Sequence, residues 1–212
     1  MTASHHPATE GSTALPPNHH AAYPGFAGAR GLMMALLFAA RGRPNARAVA
    51  DLAGVRAGDR VVDIGCGPGT AVRLAAGRGA HATGVDPSPV MLRAAHLLTA
   101  RRRRSIDWSA GAAESIPVAD GAATVVWSVH CVHHWDDIDE GLAEVRRVLV
   151  SGGRLVAIER QVEPGGSGVA SHGWLEAQAE AFADRCRALG FVDVVVAEDD
   201  AGDRSWVVRA TR

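Results

Sequence analysis

The chain is poor in the residues that build disulfide frameworks, stacking surfaces and membrane spans. Its 212 residues include three cysteines, and only 5% are aromatic, with a single tyrosine. Cys66, Cys131 and Cys186 are too few and too scattered for a disulfide scaffold, and no CxxC pair is present, which suits a reducing, cytoplasmic compartment. The main apolar run, Gly31–Ala40 (GLMMALLFAA), is too short to cross a bilayer and lies too far into the chain for a signal-peptide core. It reads as an amphipathic or wholly buried helix. A formal net charge of -1 removes any global attraction to nucleic acid or to an anionic membrane. The run Arg101–Arg104 has no interleaved aromatics and closes a predicted helix, whose negative end it suits, so it reads as a solvated helix terminus.

What the chain does have is apolar bulk, 47% of its residues, enough for one sizeable core and too little for two comfortable domains. Residues 1–27, rich in His, Pro, Ala and Gly without apolar period, are expected to form a disordered or loosely draped tail. The pairs His5–His6 and His19–His20 lack a regular ligand spacing and belong to that solvated tail. Tyr23 and Phe26 stand just before a predicted helix and either fold over a pocket or pack on the surface. Residues 28–59 are expected to form a helical lid segment, with helices over Gly28–Arg41 and Asn45–Ala53, the second capped by Asn45 and ended by Gly54.

From residue 60 to 212 the pattern alternates. Strand-like segments fall at Arg60–Ile64, Ala82–Val85, Ile106–Ser109, Thr124–Ser128, Arg154–Ile158, Val192–Ala197 and Ser205–Ala210. Helical stretches lie at Thr70–Arg78, Pro89–Ala100, Asp137–Leu149 and Trp174–Leu189. Strands alternating with helices predict an α/β fold: a Rossmann-like, seven-stranded, mostly parallel sheet with helices on both faces. The last two strands, joined only by an acidic turn, predict a terminal antiparallel hairpin.

The densest signal is VVDIGCGPGT, Val61–Thr70. An apolar strand ends beside Asp63 and passes into a turn with glycines at Gly65, Gly67 and Gly69. The dinucleotide fingerprint GxGxxG would need a glycine where Thr70 stands. In an open α/β sheet the ligand sits at the carboxyl ends of the strands, where strand order reverses. Glycines there let a ligand approach the backbone. The second strand ends at Asp86 in GVDPS, one βαβ unit further on, where a carboxylate accepts both hydrogen bonds of a ribose diol. The alternative for Asp86 is a turn and cap, since Pro87 and Ser88 follow. The segments GAAESIP (Gly111–Pro117) and SVHCVHHW (Ser128–Trp135) come next. RRVLVSGGRLVAIE (Arg146–Glu159) carries arginines at a helix C-terminus and a Ser151-Gly152-Gly153 turn.

Five segments in this order, VVDIGCGPGT, GVDPSPVMLRAA, GAAESIP, VVWSVHCVHHW and LAEVRRVLVSGGRLVAIE, resemble the class I S-adenosylmethionine-dependent methyltransferases of the small "type 11" kind. The resemblance spans about Arg60 to Glu159 strongly and the remainder weakly. It implies methyl transfer from S-adenosylmethionine, with S-adenosylhomocysteine as product. It places Asp63, Gly65, Gly67 and Gly69 around the methionine moiety and Asp86, followed by Pro87, at the ribose. Met91, Ala113 and Glu114 border the adenine, Ser128 and Val129 the amino-acid end, and His133 stands near the transferable methyl. Relatives commonly carry an Asp at the position of Ala112, so Glu114 or water takes over that contact, or affinity falls.

His133 is the first candidate for a general base, ahead of His130, His134 and His172. A structural role is the alternative for each. The cluster His130, His133 and Asp136 lacks a further ligand of clear identity, and no metal is expected. The loop after the fifth strand, Arg160–His172, is too short for a substrate domain, so the largely apolar segments Tyr23–Phe38 and Val162–Trp174 are expected to roof the pocket, which favours a small, fairly hydrophobic acceptor, with neither nucleic acid nor membrane as partner. The protein is expected to be a monomer or a homodimer. A non-catalytic protein that binds the same cofactor, and an NAD(P)-dependent oxidoreductase, are the alternatives. Against the second stand Thr70 and the absence of a Tyr-x-x-x-Lys pair.

Overall fold

The computed structural model describes residues 42–99, 105–165, 172–200 and 203–212, together with Gly31, Met33, Ala35, Leu37 and Ala39, which are helical. The readings made on the tail (with Tyr23 and Phe26), on Arg101–Arg104 and on residues 166–171 lie outside the described residues.

Seven strands form one sheet: β1 (Arg60–Ile64), β2 (His81–Asp86), β3 (Ile106–Ala110), β4 (Ala123–Val129), β5 (Leu149–Arg160), β6 (Val192–Asp199) and β7 (Ser205–Thr211). Their order is β3-β2-β1-β4-β5-β7-β6. Neighbours from β3 to β5 pair in parallel. β7 is antiparallel to both β5 and β6. The order reverses between β1 and β4, so the carboxyl tips of β1, β2 and β4 open a crevice there.

The described helices are α1 (Arg43–Leu52), α2 (Thr70–Gly77), α3 (Pro89–Leu98), α4 (Ile138–Val148) and α5 (Glu176–Ala188). α3 starts where Ser88 Oγ accepts the Met91 N–H at 3.4 Å, with a proline in the first turn. α4 starts where Asp137 Oδ1 accepts the N–H groups of Asp139 and Glu140 at 2.9 and 3.0 Å. The expected cap at Asn45 is not found. α1 begins two residues earlier, with Gly42 at its N-cap and Pro44 in its first turn. Proline lacks the N–H that the first turn leaves unpaired, so it sits there at no loss. Asn45 Oδ1 instead accepts the N–H of Asp203, at the tip of the β6–β7 hairpin.

Strand alternation divides the core in two. Val62, Ile64, Val126, Leu155 and Ala157 pack with Leu142 and Val145 of α4 and Phe182 of α5. Their neighbours Val61, Val125, Trp127, Val156 and Ile158 face the other way, onto Val49 of α1 and Val72 and Ala75 of α2. Each such valine, leucine or isoleucine contributes about 1.5–3 kcal/mol by leaving water. The Ser151–Gly153 turn is absorbed into β5. Leu149 pairs with Ala123, the register then shifts, and Arg154 pairs with Val125. Gly152 N–H donates to Arg212 O and Arg212 N–H to Gly153 O, both at 2.9 Å.

Candidate active site

The turn after β1 is shaped by its protein neighbours as much as by any ligand. Gly65, Gly67 and Gly69 all have positive φ (70°, 51° and 77°). A Cβ on Gly65 would lie 2.0 Å from Cys131 Sγ, and one on Gly69 would lie 2.0 Å from the Trp108 ring. A Cβ on Gly67 would meet nothing within 4 Å. Two of the glycines are therefore required by the packing behind the turn, while Gly67 bares its backbone to the cleft. The N–H groups of Gly65 and Cys66 both donate to Val85 O, at 2.8 and 3.1 Å, which ties the turn to the end of β2.

Asp86 completes this tie. Its Oδ2 accepts the Gly67 N–H and its Oδ1 the Ser88 N–H, each at 2.8 Å. Burial raises its carboxyl above the ordinary range, and these two N–H groups oppose the rise. Asp63 is only 3% exposed. Burial pushes its carboxyl up to about 8, and the Asp86 carboxylate adds to the effect. The Trp127 indole, its register partner on β4, works against it. That offset is partial, because the indole N–H falls short of hydrogen-bond geometry. Among the described residues neither acid has an ion-pair partner, and the chain contains no lysine. Two desolvated carboxyls beside a bare glycine backbone suit a ligand that brings its own cation and hydroxyl donors. S-adenosylmethionine carries an ammonium and a ribose diol, and these residues fit it.

The other expected residues are distributed around the same strand tips. Ser128, fully buried, and half-buried Val129 stand at the end of β4. Pro87 is exposed beside Asp86. Met91 is 2% exposed and packs with Ala94 and with Ala35, one of the helical residues before α1. Ala113 is buried against the α4 side of the core. Glu114 has a duty the sequence did not suggest. Its Oε1 accepts the N–H groups of Asp136 and Asp137 at 2.7 and 3.1 Å, clasping the loop after β3 to the loop before α4. Arg147 braces the same loop, donating to Ile116 O at 2.9 Å and Val118 O at 2.8 Å.

His133 lies in a single 3-10 turn, Val132–His134, beyond β4. It is 5% exposed, and its Nδ1 is 2.8 Å from Oε2 of Glu159, which is fully buried at the tip of β5. Glu159 Oε1 also accepts the Val132 N–H at 2.6 Å. A carboxylate that accepts the Nδ1–H fixes the tautomer with the lone pair on Nε2, the arrangement of an oriented base. His134 and His172 complete a group of imidazoles, their ring centroids 3.9 and 5.6 Å from that of His133. The His172 carbonyl accepts from Arg160 NH2 at 2.9 Å. Glu159 was missed as a site residue. The available signal was an acid closing a buried strand, as Asp86 closes β2.

The strand order and the glycine turn are those of the class I S-adenosylmethionine-dependent methyltransferase fold. Residues 62–157, a little under half of the chain, match the family described as a methyltransferase domain, whose cofactor is S-adenosylmethionine. It is 36% identical over 113 residues to the demethylmenaquinone methyltransferase of Tropheryma whipplei, covering 53% of this chain and 46% of that protein. It is 31% identical over 139 residues to the 27-O-demethylrifamycin SV methyltransferase of Amycolatopsis mediterranei, covering 64% and 47%. The chain thus spans about half the length of the curated relatives it matches. The crystal structure of a SAM dependent methyltransferase from Aquifex aeolicus shares the fold, with a TM-score of 0.70 at 15% identity, covering 85% of this chain and 97% of that one. No described helix is long and apolar enough to cross a membrane.

Proposed function

We propose that the protein methylates a small, fairly hydrophobic acceptor, with His133 as general base. The observation that carries this reading is the buried His133–Glu159 pair, at the tips of β4 and β5, the next two strands along the sheet from the glycine turn after β1. When bound, the cofactor supplies a methyl group already activated by its sulfonium. Asp63 holds its ammonium, Gly65, Gly67 and Gly69 surround the methionine part, and Asp86 with Pro87 holds the ribose. Met91, Ala113 and Glu114 flank the adenine, and Ser128 and Val129 border the amino-acid end. The protein's remaining tasks are to align the acceptor and to take its proton. Orientation alone lowers such a barrier by about 7–11 kcal/mol in ideal cases. His133 Nε2 receives the proton, and Glu159 holds the ring in place through Nδ1 and stabilises the imidazolium.

Small-molecule acceptors named for the relatives, demethylmenaquinone and a demethylrifamycin, support an apolar organic substrate. Ala35, packed on Met91 and Ala94 of α3, supports the reading of residues 28–59 as a lid over the cleft. The three free cysteines suit a cytoplasmic location.

Two measurements test the reading. S-adenosylhomocysteine should raise the melting temperature by mass action, and NAD should not. Transfer of labelled methyl from S-adenosylmethionine to a library of small hydroxylated and amino compounds should fall at least a hundredfold in His133→Asn, with the thermal shift retained (about 10²–10⁴ for a lost general base). Stabilisation by NAD alone, or full activity in His133→Asn, refutes it.

A further inference from the structure

Among the described residues, the buried side-chain atoms without a hydrogen-bond partner include His130 Nε2 and Gln161 Nε2. Unpaired buried polar atoms are rare in folded proteins, and each is a standing cost to the fold. Both follow the carboxyl ends of β4 and β5, which are neighbours in the sheet. His130 follows β4, its N–H donating to Ile158 O of β5 at 2.7 Å. Gln161 follows β5, its N–H donating to Arg204 O at 2.9 Å, and bridges to Trp174. One residue, Arg160, separates Gln161 from Glu159 along an extended chain, so by strand alternation Gln161 shares the face on which Glu159 meets His133.

His130 shows a second departure from rest. Its φ is +53°, one of two non-glycine residues with positive φ among those described. Strained backbone of this kind persists where surrounding structure enforces it, and it clusters at binding sites. Burial holds the imidazole below its ordinary range, against the pull of Glu159 and Asp203, so the ring is neutral and offers hydrogen bonds instead of charge. The Gln161 amide nitrogen can only donate.

We infer that His130 and Gln161 are the specificity-determining pair of the acceptor subsite, and that they take an acceptor with a carbonyl oxygen beside the atom to be methylated. An o-hydroxyaryl ketone is the simplest molecule of that class. This rests on the reading of the cleft as a methyl-transfer site. The hydroxyl meets His133 while the neighbouring carbonyl accepts from Gln161 and the His130 ring. A substrate lacking the carbonyl leaves both groups buried and unpaired, and is discriminated against for that reason.

The test uses two isosteric pairs: 2-hydroxyacetophenone against 2-isopropylphenol, and 1-hydroxy-2-acetonaphthone against 2-isopropyl-1-naphthol. Methyl transfer, the S-adenosylhomocysteine thermal shift and the melting temperature are read for the wild type, Gln161→Leu and His130→Asn, asparagine being tolerant of positive φ. The wild type should prefer the ketones by about tenfold or more in kcat/KM. Each variant should lose that preference through KM, keep the thermal shift, and melt no lower than the wild type. The inference is overturned by equal use of ketone and alkyl partners, by transfer to none of the four, or by a preference that survives both substitutions. It is also overturned by a fall of several degrees in the Gln161→Leu melting temperature, which would show the amide bonded within the fold. Failure of S-adenosylhomocysteine to shift the wild type at all marks instead the failure of the methyl-transfer reading.

Discussion

Cofactor affinity should depend on pH through Asp63. Its carboxyl titrates at about 8 in the free protein because it is buried with no cation beside it. An ammonium brought by the ligand favours the carboxylate, so binding below pH 8 expels a proton. The affinity then scales with the fraction already ionised. For a group titrating at about 8 that fraction is ~1% at pH 6 and ~24% at pH 7.5, so the dissociation constant of S-adenosylhomocysteine should fall about 25-fold across that interval. Ionising Asp63 at pH 6 costs about 3 kcal/mol, which the ligand must offset. The sign for stability is opposite. The unfolded carboxyl ionises near pH 4 while the folded one keeps its proton to about 8, so stability due to Asp63 declines as pH rises through that window. Calorimetric titration in buffers of different ionisation enthalpy measures both affinity and proton release. About one proton per site should be released near pH 6.5, and Asp63→Asn should abolish the pH dependence while melting no lower than the wild type at pH 7. An affinity flat between pH 6 and 7.5, with no proton released, would refute the argument.

Three further outcomes follow from distances in the cleft. Asp86→Ala removes the acceptor of the Gly67 and Ser88 N–H groups and should abolish the S-adenosylhomocysteine thermal shift; a retained shift would remove Asp86 from the ribose site. Glu159→Gln keeps a hydrogen-bond partner for Val132 but cannot stabilise an imidazolium, so methyl transfer should drop by about two orders of magnitude with cofactor affinity unchanged, read by single-turnover kinetics. Gly84→Ala places a Cβ 2.4 Å from the Trp108 ring; thermal melting should show a loss of about 1–3 kcal/mol, and the shift with S-adenosylhomocysteine should weaken as Trp108 is driven against Gly69.

Much of the sheet could be read from the chain because its strands are short valine-rich runs bounded by glycine, proline and aspartate. All seven were expected, six of them within two residues of where they lie, while β5 begins five residues early because it absorbs the Ser151–Gly153 turn; the antiparallel hairpin follows from the missing helix before β7. What escaped was interaction across distance. Glu159 and His133 are 26 residues apart and meet only because β4 and β5 are neighbours. Glu114 invited a ligand contact because it follows Ala112, yet one of its oxygens is engaged by Asp136 and Asp137. Asn45 looked like a cap by residue type, but with Pro44 in its first turn the helix starts two residues earlier and leaves Asn45 for the β6–β7 hairpin. In each case the residue's chemistry was legible and its partner was not, since the partner depends on which strands adjoin.

The place of β7 has a bearing on how the fold is assembled. The strand synthesised last of the seven lies inside the sheet, between β5 and β6. Until β7 has been made, β5, which carries Glu159, has an open side, and its unpaired backbone offers a template to other nascent chains. Glu159, the partner of His133, therefore stands on a strand whose second edge is closed only once β7 is in place, and a chain without β7 would keep its glycine turn but leave that edge of β5 unpaired.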